Sequence, residues 1–211
     1  MTTMTAASGG LSTPRLRRLA RRTAPVAADQ ERCELCSAPI TDSHRHMLDV
    51  EARTLRCACL ACAILFDHSA AGGDRFRLVP TRRVRLHGFT ADDLLWAGLG
   101  IPVDMAFCFR STPLAQVVAL FPSPVGMTES SVEPGAWQQV EAADPALAQM
   151  EPDVEALLVN RARGAREHWL VPVDDCYRLA AVVRTRWVGF NGGEEVWDEI
   201  ARFFAQLQER R

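Results

Sequence analysis

Apolar residues along this chain come in short runs whose spacing switches between two and between three and four, predicting both strands and helices. No internal repeat is visible. The clearest element lies at the C-terminus, where Val196, Trp197, Ile200, Phe203, Phe204 and Leu207 form a continuous stripe at helical spacing, expected to face a core. Glu194 and Glu195 suit the start of this helix, and Arg210 and Arg211 suit its end. Ahead of it, Cys176, Leu179, Ala180 and Val183 share one face of a second helix, with Asp174 as the expected N-cap. Apolar runs at 156–159 and 169–173 flank R-A-R-G-A-R and predict a hairpin. Strands are also expected over 103–110 and 116–121, joined by S-T-P-L, with shorter ones over 76–80 and 84–86. A helix capped by Thr90 should run to Trp96, another should cover 137–143, and Asp144-Pro145 should open a further turn. The stretch F-P-S-P-V-G-M-T-E-S holds too much Pro and Gly for regular structure.

The first part of the chain is patterned differently. Residues 1–30 are rich in small and polar side chains, with a basic knot at Arg15, Arg17, Arg18, Arg21 and Arg22, and are expected to form a disordered arginine-rich tail. From 31 to 72, cysteines punctuate the apolar pattern. His44, His46, Leu48 and Val50 fall on one side of an extended segment, and 54–59 can form the returning strand. The run L-A-C-A-I-L-F then suggests a short helix, with Leu60, Ile64 and Leu65 packing against the module, and Gly72-Gly73 marks a boundary. The expected fold is therefore α+β. A small zinc-ribbon-like module over 31–72 precedes a mixed α/β domain over 73–211, with a largely antiparallel sheet and a C-terminal amphipathic helix.

Composition changes the picture in two ways. The net charge of −2 over 211 residues gives no overall bias toward nucleic acid or membrane, and no apolar run approaches the length of a bilayer span. The N-terminal arginines are not followed by an apolar segment, so no secretory signal is expected and the chain is placed in the cytoplasm. There, clustered cysteines serve more often as metal ligands than as disulfides. Secondly, all 24 basic residues are arginine, which removes Schiff-base, pyridoxal-phosphate and phosphate-loop lysine chemistry. No nucleotide-binding glycine motif, nucleophile elbow or H-E-x-x-H is present either, so a non-catalytic role is favoured over an enzyme.

Candidate chemistry concentrates between Cys33 and Cys62, where five of the seven cysteines fall within thirty residues. Cys33/Cys36 and Cys59/Cys62 are two C-x-x-C pairs separated by 22 residues, a spacing that lets four thiolates close a tetrahedron around one ion. Zinc is the first choice and iron the alternative, because mononuclear iron takes the same four sulfurs. Cys57 shares a strand face with Cys59 and is an alternative ligand, as are His44 and His46; a mixed set such as Cys33, Cys36, His46 and Cys62 remains open. Cys108, between Phe107 and Phe109, is expected to be a buried apolar residue. Cys176 follows two aspartates at a helix start, where it would be a nucleophile only if His168 lay near as a base; a structural role is favoured. Asp174/Asp175, Glu129 and Glu151/Asp153 are expected to be cap or turn residues.

The motifs C-E-L-C, H-R-H-M-L-D, C-A-C-L-A-C, F-P-S-P-V-G-M-T-E-S, P-D-V-E-A-L-L-V-N-R and V-P-V-D-D-C-Y-R-L together resemble an actinobacterial family of unknown function. Its genes accompany those of nickel–iron hydrogenases and their maturation factors. The resemblance implies a non-catalytic zinc-binding accessory protein whose partner is a hydrogenase subunit or maturation factor. It carries over no activity and no catalytic residues. The alternatives are a rubredoxin-like iron electron-transfer protein and a nucleic-acid-binding zinc ribbon, the latter disfavoured by the overall charge.

Overall fold

The computed structural model describes residues 31–67, 74–123, 126–189 and 192–209. The arginine-rich tail, the Gly72-Gly73 boundary and the terminal Arg210-Arg211 lie outside them. The element order is β1 (Arg45–Asp49), β2 (Thr54–Ala58), α1 (Leu60–Phe66), β3 (Phe76–Leu78), β4 (Val84–Arg85), α2 (Asp93–Gly98), β5 (Met105–Ser111), β6 (Gln116–Ser123), β7 (Gly126–Ser131), α3 (Pro134–Ala143), α4 (Pro145–Ala148), β8 (Glu155–Asn160), β9 (Glu167–Pro172), α5 (Val173–Arg186) and α6 (Gly193–Glu209). The protein is thus α+β, with two antiparallel sheets and a long C-terminal helix.

The larger sheet has the strand order β4-β9-β8-β5-β6-β7, and every pairing in it is antiparallel. Helices cover both faces. Because strand side chains alternate, Met105, Phe107 and Phe109 of β5 pack with Trp169 against α5 and α6, reaching Leu179, Ile200, Phe203 and Phe204. Ala106, Cys108, Leu157 and Leu170 face the other way, onto Trp96 of α2, Trp137 and Val140 of α3, and Leu147 of α4. Central strand β8 is therefore buried along its whole length, which is why its sequence shows an apolar run instead of alternation. The stripe of α6 is core as expected: Val196, Ile200, Phe203, Phe204 and Leu207 are buried.

The smaller sheet has the order β2-β1-β3. The strand expected to open the second domain instead completes this sheet, pairing Met47 with Leu78 and Asp49 with Phe76. The small sheet docks on the large unit through Leu48, Val50 and Val79, which pack with Val154, Val173 and Tyr177. Ion pairs from Arg53 to Glu129 and from His46 to Asp174, and a hydrogen bond from Arg77 to the Pro152 carbonyl, surround that patch. Glu129 therefore sits in β7 as a docking contact, not in a turn.

Several local expectations change for identifiable reasons. The Pro- and Gly-rich stretch forms the end of β6 and most of β7. Pro122 lies past the last β5 partner, Leu120, so it pairs only with Met127 on the outer hairpin, where proline is tolerated. Asp92, not Thr90, caps α2 by accepting the Leu95 N–H at 2.8 Å. Asp174 does not cap α5, which begins after Pro172 without a side-chain cap. Asp153 adopts φ 67° at the entrance to β8 and accepts both the N–H and the hydroxyl of Thr112.

Asp49, at the end of β1, is buried and accepts two hydrogen bonds from Arg75 and one from the Ala52 N–H. The Arg75 guanidinium holds its pKa below the ordinary 3.8, against the opposing effect of burial. A carboxylate depressed in the folded state contributes stability that is complete above the unfolded pKa and lost as pH falls through the folded one. Asp49→Asn should cost about 1.5 kcal/mol at neutral pH, the low end for hydrogen bonds to a charged group because Arg75 is half exposed. The gap from wild type should narrow as pH falls below the ordinary 3.8 and through the lowered folded value, which urea melts at neutral and acidic pH would test.

Candidate metal centre

The two C-x-x-C pairs reach one point by different local routes. Cys33 and Cys36 sit in a tight turn: Ser37 donates to the Cys33 carbonyl at 2.8 Å, Cys33 donates to the Ala38 carbonyl at 2.8 Å, and Ser37 takes φ 61° to close it. The Glu34 N–H anchors this turn to β2 through the Cys57 carbonyl at 2.8 Å. Cys59 and Cys62 come instead from a helix start. Cys59 is the N-cap of α1, and its sulfur accepts the Cys62 N–H at 3.4 Å. The β1–β2 hairpin carries the chain back between the two.

The sulfurs of Cys33, Cys36, Cys59 and Cys62 all lie within 4.8 Å of one another, and Cys36 Sγ is 3.7 Å from Cys59 Sγ. An ion bound tetrahedrally at about 2.3 Å to each sulfur would space them about 3.8 Å apart. The donor set fits a metal ion, and all seven cysteines are free of disulfides. Electrostatics point the same way. Burial disfavours the Cys33 thiolate, but hydrogen bonds from the N–H groups of Cys59, Leu35 and Cys36 outweigh it and bring its pKa to about 6. Cys62 is pushed well up by burial and by the neighbouring sulfurs. The Cys33 thiolate forms readily while Cys36 and Cys62 resist, a conflict that a bound cation removes.

The alternative ligands do not join this group. Strand β2 ends at Ala58, and Cys59, the cap of α1, gathers its sulfur with Cys33, Cys36 and Cys62 and not with Cys57. Cys57 lies opposite His46 in the β1–β2 register, and Cys57, His44 and His46 gather as a separate trio with ligand atoms within 4.8 Å. The mixed set of Cys33, Cys36, His46 and Cys62 is not assembled. The partner of His46 was not legible in the sequence: Asp174, 128 residues away, meets His46 Nδ1 at 2.8 Å and raises the imidazole pKa by that hydrogen bond. Asp175, its neighbour, pairs with Arg83 and Arg178.

The remaining candidates fall away from chemistry. Cys108 is buried, and burial pushes its thiol up to about 12. Burial, reinforced by the charges of Asp175 and Asp174, raises Cys176 well above the ordinary range, the reverse of an activated nucleophile. Cys176 also packs on the α5/α6 side of the sheet with Trp169, whereas His168, the preceding residue in β9, faces Phe89 on the opposite side. The pair cannot act together.

No helix among the described residues is long and apolar enough to cross a membrane. No curated protein and no solved structure matches the chain. A family model does match, over residues 32–211, which takes in the four-cysteine turn, both sheets and the last helix; the chain belongs to the family of unknown function DUF5947.

Proposed function

We propose that this is a non-catalytic zinc-binding accessory protein, working in the cytoplasm, whose zinc-ribbon-like module presents a contact surface to a nickel–iron hydrogenase subunit or maturation factor. The observation that carries the reading is the outer face of α1. Leu60, Ile64 and Leu65, expected to pack inward, are 66%, 58% and 56% exposed on the helix that begins at the metal pair. A four-thiolate zinc site is closed and structural, so its role is to hold this helix in place. Contiguous exposed apolar residues mark interaction sites. A protein partner is also favoured over nucleic acid because Arg53, Arg56 and Arg75, in and beside the small sheet, are each engaged by a carboxylate. The choice of hydrogenase rests on the motif resemblance.

Deleting the gene should impair hydrogenase maturation. Wild type should restore it, while the double variant Leu60→Asp/Ile64→Asp should fold normally and restore less than a tenth of the activity. Normal hydrogenase activity in the deletion strain would count against the proposal. Metal analysis of anaerobically purified protein should return zinc; iron at one equivalent would move the reading to a rubredoxin-like electron carrier.

A further inference from the structure

We propose that His44, His46 and Cys57 form a second metal site, distinct from the four-cysteine centre, for a divalent transition-metal ion of the zinc class, with one coordination position left open. The hairpin builds it. His44 and His46 are two residues apart at the start of β1 and so point to one face, and Cys57 is the direct cross-strand partner of His46. Their ligand atoms fall within 4.8 Å of one another.

Each imidazole is arranged as a ligand from behind. His44 Nδ1 lies 2.9 Å from the Thr41 carbonyl, which can only accept, so the ring proton is on Nδ1 and the lone pair on Nε2. That Nε2 is buried without a hydrogen-bond partner, on a side chain only 10% exposed. A buried, unpaired acceptor is costly and calls for an occupant. His46 Nδ1 is held at 2.8 Å by the Asp174 carboxylate, which likewise leaves Nε2 to serve as the ligand atom. A carboxylate or carbonyl behind each histidine is the usual support of metal-bound imidazole. Cys57 supplies the third donor, and on binding its thiol proton passes to water.

Two imidazoles and one thiolate suit zinc and its neighbours, and three protein ligands leave the fourth position for water or for a donor from another molecule. The four-cysteine site is closed by comparison. Asp174 belongs to α5, so an ion here would also tie the small sheet to the large unit. Asp174 is thus a positioning residue for the site. This proposal stands independently of the function assigned to the four-cysteine centre.

The test is cobalt(II) chloride titration of the full chain, stripped of metal and kept reduced, followed by absorption and by metal analysis after desalting. Wild type should hold one more equivalent than either His44→Ala or Cys57→Ser. Both ligand variants should keep the four-thiolate bands while losing that equivalent, which separates failure of this site from failure of the other. Asp174→Asn should bind the same equivalent about 10–100-fold more weakly with the four-thiolate bands unchanged. Comparisons are made on variants that retain those bands, with His44→Gln replacing His44→Ala if the latter loses them. Equal cobalt counts in wild type and both ligand variants would overturn the proposal.

Discussion

Stripping the ion from the four-cysteine site is expected to unfold the small sheet while the six-stranded sheet stays intact. The buried apolar cluster of the small unit consists of Cys33, Ile40, Met47, Ala58 and Cys62, so two of its five members are themselves candidate metal ligands. A segment of this size rarely stands on its own core without a metal or a disulfide, and no disulfide is present. Structural zinc contributes about 10–16 kcal/mol in small zinc-dependent modules. The remaining support is the patch of Leu48, Val50 and Val79 against Val154 and Val173 with the ion pairs around it, which needs the hairpin already formed. Hydrogen exchange with and without a strong chelator should show the amides of β1 and β2 losing protection by more than tenfold. Those of β5 and β8 should keep theirs. Cys62→Ser should reproduce the chelator's effect, and unchanged exchange in β1 and β2 would refute a structural ion.

Removing Arg82 is expected to destabilise the larger unit strongly. Glu155 stands in the fully buried strand β8 with 0% exposure and accepts two hydrogen bonds from Arg82 and a third from the Glu151 N–H. Breaking a buried pair by deleting one partner leaves an uncompensated charge, at a cost of about 3–5 kcal/mol. Arg82 is itself 44% exposed, so water can reach part of the site and the low end, about 3 kcal/mol, is expected for Arg82→Ala. In a chain of this length that corresponds to a fall in Tm of about 6–12 °C. The double variant Arg82→Ala/Glu155→Gln should recover part of the loss, because a neutral amide is far less costly to bury than a lone carboxylate. A single variant within 0.5 kcal/mol of wild type, about the limit for a neutral surface change, would show that Glu155 does not depend on Arg82.

The contrast between Cys59 and Cys57 shows how much of the site was legible. The spacing of Cys33/Cys36 and Cys59/Cys62 is local, and a turn or a helix start brings two sulfurs together whatever surrounds them. The partition of the third donor set was not legible, because it depends on where β2 stops. Likewise, Leu60, Ile64 and Leu65 are apolar in sequence, yet in α1 the inward positions go to Cys62 and Ala63, where Cys62 meets the other three sulfurs.

By itself, the sequence determined the α6 stripe, the β8–β9 hairpin, the apolar burial of Cys108 and the clustering of four thiols, all consequences of short-range periodicity. Only the tertiary structure decided that β3 completes the first sheet, that Asp174 stands behind His46, and that Glu155 lies in a buried strand with Arg82 as its counter-ion. These are contacts between residues far apart along the chain. Their partners are chosen by which faces the sheets bury against one another, and spacing along a single strand or helix carries no record of that choice.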